Sequence, residues 1–219
     1  MPAVKPEVMF EKSLPLAYHT SVFFRARAEP SATGEQLSAI SPPSWPGLDA
    51  SGLLWKPAAQ VLPRPTPAVQ TWLLDPGSLT ARLKGLAALQ FRVRVLEEGW
   101  VHQCSPALLQ CFQPHVARQR MWSRKVLLQC GATPWVAAHS LIPLSSMQGP
   151  LKRLRRLDER PLGEFLFREP SMQRFQLELT QHDEIWGRRS LFYLHARPLL
   201  VAEFFLPALL QAVRQEHAT

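Results

Sequence analysis

The sequence predicts an α+β fold built on a six-stranded antiparallel sheet. Three observations carry that expectation. Phe91–Glu97 and Phe175–Thr180 alternate apolar and polar residues, the period of a strand with one buried face. Two pairs of apolar runs are separated only by Gly131-Ala132-Thr133 and by His195-Ala196-Arg197, so each pair folds back as a hairpin. Hairpins place antiparallel strands side by side, and the helical segments between them then pack on the sheet.

Taken in order, the chain begins with a proline-rich stretch. Eleven of its 21 prolines fall in the first 67 residues. Ser41–Gly47 and Pro63–Pro67 suit neither a regular helix nor a central strand. Residues 1–52 therefore read as an extension, mobile in part, and residues 53–219 as the folded domain. Phe10, Phe23, Phe24 and Trp45 are its candidates for packing on that domain.

Val69–Leu74 is a compact apolar segment ended by Asp75-Pro76-Gly77. Ser78 is a suitable N-cap for a helix carrying Leu79, Leu83, Leu86 and Leu89. Strands follow at Phe91–Glu97, at Val126–Cys130 and at Trp135–Leu144. Pro161–Phe167 has helical spacing, and Phe175–Thr180 is again a strand. Arg189–Leu194 and Leu199–Leu206 close the sheet, before a short terminal helix. Trp186-Gly187 reads as a turn ahead of the first of these.

Composition narrows the function. With 219 residues and 46% apolar content the chain can bury one sizeable core. No window approaches the roughly 18 uninterrupted apolar residues of a membrane helix. The N-terminus lacks the apolar core of a signal peptide, being broken by Glu7 and Glu11. Cys104, Cys111 and Cys130 are odd in number and lack CxxC spacing, as expected of reduced thiols in a cytoplasmic protein. The net charge is +8, yet the one dense basic run, Lys152–Arg156, has no interleaved aromatics and no nucleic-acid-binding motif beside it. An acidic substrate is another explanation of that charge, and surface arginine that keeps the protein soluble is the plainest one.

Two residues stand out chemically. Glu203 interrupts the apolar strand Leu199–Leu206, where a carboxylate is costly unless paired or used. Arg124 sits beside the apolar strand Val126–Leu128. Together they point to a small cavity with a cation at one end and a carboxylate at the other. A buried ion pair of Glu203 with Arg188 or Arg189 is the structural alternative. His102 and His115 lie in loop-like sequence, and His182-Asp183-Glu184 lacks a spaced partner for a metal site.

The chain resembles the chorismate lyase family. The resemblance runs from about Thr71 to Pro207 and rests on the order and spacing of several motifs. These are Trp72-Leu73-Leu74 with Ser78-Leu79-Thr80, Glu98-Gly99-Trp100, Trp122-Ser123-Arg124, Pro134-Trp135 with Ile142-Pro143-Leu144-Ser145, Pro161-Leu162-Gly163 with Phe165-Leu166-Phe167, Trp186–Ser190, and Pro198-Leu199-Leu200 with Glu203–Pro207. It implies a six-stranded antiparallel sheet with helices on one side and two helical flaps over a buried ligand. It also implies a monomer without metal or organic cofactor, converting chorismate to 4-hydroxybenzoate and pyruvate for ubiquinone synthesis. No nucleic acid and no stable membrane insertion are expected.

On the family pattern, Arg124 holds the ring carboxylate and Glu203 stands at the phenolic end. Leu79 and Leu162 are the flap positions against the ligand. Lys125 departs from a usual glutamate, and matters little if it points away from the cavity. His139 replaces a frequent arginine, which puts a second cationic contact in question. The same fold also serves as a non-catalytic sensing module for small aromatic carboxylates. In transcription regulators that module follows a winged DNA-binding domain, for which residues 1–52 are too short and too proline-rich.

Overall fold

The computed structural model describes residues 45–48, 50, 52–102, 104–112 and 119–216. Most of the predicted extension, with Phe10, Phe23 and Phe24, and His115 as well, lie outside the described residues.

Among the described residues, an antiparallel sheet of seven strands forms the centre, rather than the six expected. The strands are β1 (Lys56–Pro57), β2 (Phe91–Val101), β3 (Met121–Cys130), β4 (Thr133–Pro143), β5 (Gln173–His182), β6 (Ile185–Leu194) and β7 (Arg197–Phe205). Their order across the sheet is β1-β5-β6-β7-β4-β3-β2. The additional strand is a two-residue edge pairing, Lys56 with Leu179 and Pro57 with Glu178. Nothing so short has a periodicity to read.

The helices are α1 (Pro67–Leu73), α2 (Leu79–Ala87), α3 (Pro106–Gln110), α4 (Leu162–Arg168) and α5 (Pro207–Glu216). Ser78 caps α2 as expected, its Oγ accepting from the Ala81 N–H at 3.3 Å. Leu89 does not join that helix. The chain tightens into a 3-10 turn at Ala88–Gln90, and Leu89 is fully exposed.

The hairpins explain two further differences. His195 and Ala196 both take positive φ, 49° and 60°, so β6 and β7 are joined by two residues and Arg197 already belongs to β7. Trp186-Gly187 is not a turn but lies within β6, with the turn before it at Asp183-Glu184. Gly187 is there because of packing. A β-carbon on it would come within 2.9 Å of both Phe204 Cδ1 and Thr180 Cγ2.

Alternation sends successive side chains to opposite faces of this sheet. On one face Val93, Val126, Leu128, Leu179 and Phe205 pack beneath α1, α2 and α5 through Trp72, Leu73, Leu83, Leu209 and Val213. The other face carries Met121, Leu127, Ala137, Leu200, Ala202 and Phe204 and is covered by Leu48, Leu108 and Phe112. Trp45 also packs there, its ring 5.6 Å from Phe204.

The basic run Lys152–Arg156 belongs to a 3-10 helix, Gly149–Arg156. Side chains three apart eclipse in such a helix, so Leu151, Leu154 and Leu157 bury one edge while the basic residues flank it. Aromatic partners come from elsewhere in the chain: Arg155 stacks 5.4 Å from Trp100 and 5.3 Å from Trp122.

Candidate active site

The helix-covered face of the sheet lines a cavity that is partly open to solvent. Its floor is contributed by Arg124, Val126, Ala138, Ser140, Val201 and Glu203. Arg174, Arg188 and Phe192 continue it toward β5. Pairing register explains the grouping. Arg124 lies opposite Ser140 and Ser140 opposite Val201, while Ala138 lies opposite Glu203 and Glu203 opposite Arg188. Arg124 and Glu203 therefore open onto the same face and the same cavity, although 79 positions separate them (203 minus 124).

Arg124 is 3% exposed. Its Nη1 donates to Glu98 Oε2 at 2.5 Å, and its Nη2 donates to the Asp158 carbonyl oxygen. Glu98 faces Arg124 directly across the β2–β3 ladder. These partners fix the guanidinium without exhausting its N–H donors, so an incoming carboxylate can still be held.

Glu203 accepts from Arg188 Nε at 2.6 Å. The ion pair foreseen as the structural alternative is thus present, and its carboxyl nevertheless lines the cavity. Arg188 is 2% exposed and is tethered a second way. Its Nη1 donates to the carbonyls of Trp72, Leu73 and Asp75, at 3.0, 3.2 and 3.1 Å. These belong to the end of α1 and the residues beyond, where unsatisfied carbonyls carry the negative end of the helix dipole.

Arg174 approaches the same corner, donating from Nε to Ser190 Oγ and from Nη1 to the Asp75 carbonyl, both at 2.9 Å. Burial, and then the repulsion of Arg188, lower its guanidinium to about 10. That is still well above neutrality, so it remains a cation.

The roof is made by α2 and α4 with the residues leading into each. Leu79, Thr80, Leu162, Gly163, Leu166 and Phe167 all face the cavity. The two helices touch at Gly163, where a β-carbon would stand 2.8 Å from Thr80 Oγ1. A Lys84–Glu164 ion pair joins them on the outside.

All four residues singled out from the sequence, Leu79, Arg124, Leu162 and Glu203, line this one cavity. The two departures do not. Lys125 points to the opposite face and pairs with Glu97 at 3.4 Å. His139 is on that face too, buried, with Ser123 Oγ 2.9 Å from its Nε2 and the Leu48 N–H donating to its Nδ1 at 3.1 Å. An acceptor Nδ1 leaves the proton on Nε2, so His139 ties the segment around Leu48 to the back of the sheet.

Arg174 was missed. It lies outside every motif, and its place depends on an irregularity in β5 between Phe175 and Glu178 that resets the register. Among the described residues, no three His, Cys, Asp or Glu side chains gather where they could hold a metal ion.

The sequence model described as chorismate lyase matches residues 50–215. The chain belongs to the chorismate lyase family. It is 36% identical to a protein of Chromohalobacter salexigens named "Probable chorismate pyruvate-lyase", over 76% of this chain and 92% of that one. It is 34% identical to the "Chorismate pyruvate-lyase" of Escherichia coli O1:K1 / APEC, over 67% of this chain and 87% of that one. Among solved structures, the ligand-binding domain of a GntR-family transcriptional regulator from Bordetella bronchiseptica aligns at a TM-score of 0.39 and 14% identity. It covers 53% of this chain and 83% of that one, a likeness too low to carry an argument. Every residue lining the cavity falls within the span matched by the chorismate lyase family, whereas Trp45 and Leu48 precede it.

Proposed function

We propose that this chain is a chorismate lyase, eliminating pyruvate from chorismate to give 4-hydroxybenzoate, the first committed step of ubiquinone synthesis. It works as a cytoplasmic monomer without a metal or organic cofactor. The observation that carries the reading is the shared cavity of Arg124 and Glu203 beneath α2 and α4. Among the described residues, no helix is long and apolar enough to cross a membrane.

The chemistry suits such a site. Chorismate is a dianion, with one carboxylate on its ring and another on its enolpyruvyl ether. In the elimination, the bond between ring carbon and ether oxygen breaks and its electron pair leaves with the oxygen. A proton leaves the neighbouring ring carbon, which bears the hydroxyl, and the ring becomes aromatic. The departing enolpyruvate takes up a proton at its methylene carbon to become pyruvate. Aromatisation drives the reaction, so the protein's task is orientation with modest acid–base help.

Arg124 clamps the ring carboxylate and so fixes the ring plane. Glu203, held by Arg188, stands at the hydroxyl end and exchanges a proton with an oxygen there. Leu79 and Leu162 close over the ring as flap residues, and α2 and α4 must part to admit it.

The test is direct. Purified protein incubated with chorismate should release 4-hydroxybenzoate and pyruvate in equal amounts. Tight binding of 4-hydroxybenzoate without turnover would instead identify a non-catalytic sensing module.

A further inference from the structure

Two guanidinium groups of the cavity reach the two ends of one row of the sheet. Arg124 on β3 begins the row, followed across the ladders by Ser140, Val201 and Ser190. Arg174 on β5 pairs with Phe192, one same-face position further along β6, and its side chain reaches back to the row with Nε on Ser190 Oγ. Each step between strands is about 4.8 Å. Small side chains make the floor between the two cations, and Glu203 stands in the adjacent row beside the middle of it.

The three arginines at the cavity are engaged differently. Arg188 is occupied by Glu203 and by three carbonyl groups. Arg124 is the clamp already described. Arg174 makes its hydrogen bonds through Nε and Nη1, and Nη2 has none among the described residues although the side chain lines the cavity. A cation with unspent donors at a cavity wall is matched by an anion.

We propose that Arg174 binds the second carboxylate of the substrate, the one carried on the enolpyruvyl ether and lost with pyruvate. The proposal rests on the lyase reading. With the ring carboxylate on Arg124 and the hydroxyl end beside Glu203, the ether side chain extends along the row toward β6 and β5, where Arg174 waits. Two fixed cations then face the two charges of the dianion. The role of the second cation, which His139 left open, passes to a different strand. The product keeps only its ring carboxylate, so Arg174 recognises the substrate and is indifferent to the product.

Steady-state kinetics with chorismate, paired with calorimetry using 4-hydroxybenzoate, separates these roles. Arg174→Ala should lower kcat/KM by about 100-fold, the loss expected for a hydrogen-bonded charge pair. Arg174→Met, which keeps an alkyl stem against Phe192, should do the same, and Arg174→Lys should recover part of the loss. Affinity for 4-hydroxybenzoate should stay within about two-fold of the wild type in all three. Retained product binding also certifies that the site is folded. Unchanged kcat/KM in both Arg174→Ala and Arg174→Met overturns the proposal, as does product affinity falling in step with kcat/KM. A wild-type protein that does not turn over chorismate removes the lyase reading and the proposal together. Wild-type turnover with unaffected variants removes the proposal alone.

Discussion

Gly163 on α4 lies so close to Thr80 on α2 that a β-carbon would meet Thr80 Oγ1 at 2.8 Å. The roof of the cavity therefore closes through a contact that only glycine permits. Helix propensity alone favours alanine over glycine by about 1 kcal/mol, so Gly163→Ala would stabilise α4 if there were room. Because there is not, the variant should hold the two helices apart and weaken 4-hydroxybenzoate binding by roughly ten-fold, about 1.4 kcal/mol. Thr80→Ala in the same background removes the obstructing hydroxyl and should restore affinity. Calorimetry on the single and double variants decides it. A single variant with normal affinity and a higher Tm would show that the contact is slack.

Arg124→Ala should abolish tight 4-hydroxybenzoate binding, by about 100-fold or more, while leaving a folded protein. Its partner Glu98 keeps 28% of its side chain exposed and can turn to water. Circular dichroism with calorimetry reads both halves of this expectation, and unchanged affinity would refute the clamp.

Glu203→Gln should lower turnover by about 100-fold, in the range of a lost acid–base group. Its effect on stability should be about 1 kcal/mol or less, since the amide oxygen can still accept from Arg188 Nε and that arginine keeps its carbonyl partners. If Tm collapses while the folded fraction turns over normally, the carboxyl serves the ion pair and not the reaction.

Lys125→Glu places a carboxylate on the back of the sheet, away from the cavity. There it meets Glu97 and exchanges an attraction for a repulsion, costing about 0.5 kcal/mol. A small drop in Tm with unaltered 4-hydroxybenzoate affinity is expected. A clear change in affinity would mean that the two faces are coupled.

Burial raises the Cys111 thiol above its ordinary value of 9.0, against the smaller opposing pull of Arg189. A raised folded value means that the native state keeps its proton where the unfolded chain gives it up. The corresponding stability is present below about pH 9 and declines as pH rises beyond it. Alkylation at pH 8 should accordingly leave Cys111 unmodified until the protein unfolds. Rapid labelling of the native protein at Cys111, located by peptide mapping, would contradict this.

Local pattern made much of the architecture readable. Alternation and short connections announced the hairpins β3–β4 and β6–β7, and Ser78 marked the start of α2. Leu89 misled because apolar spacing continues past the point where the helix tightens, and nothing local reveals that its side chain has no surface to cover. Gly187 misled for a related reason. A glycine near two arginines reads as a turn, whereas its need comes from the Phe204 ring two strands' worth of sequence away.

The sequence by itself determined the class of fold, the family, and the two chemically unusual side chains, Arg124 and Glu203, because each is written in short-range pattern or in an isolated charge among apolar neighbours. Tertiary structure alone decided which charges meet. It turned Lys125 and His139 to the back of the sheet, gave Arg188 to Glu203, and brought the Arg174 side chain onto Ser190, at the far end of the row that starts at Arg124. Strand order and register set those encounters, and a one-residue shift of register reverses the face on which a side chain lies.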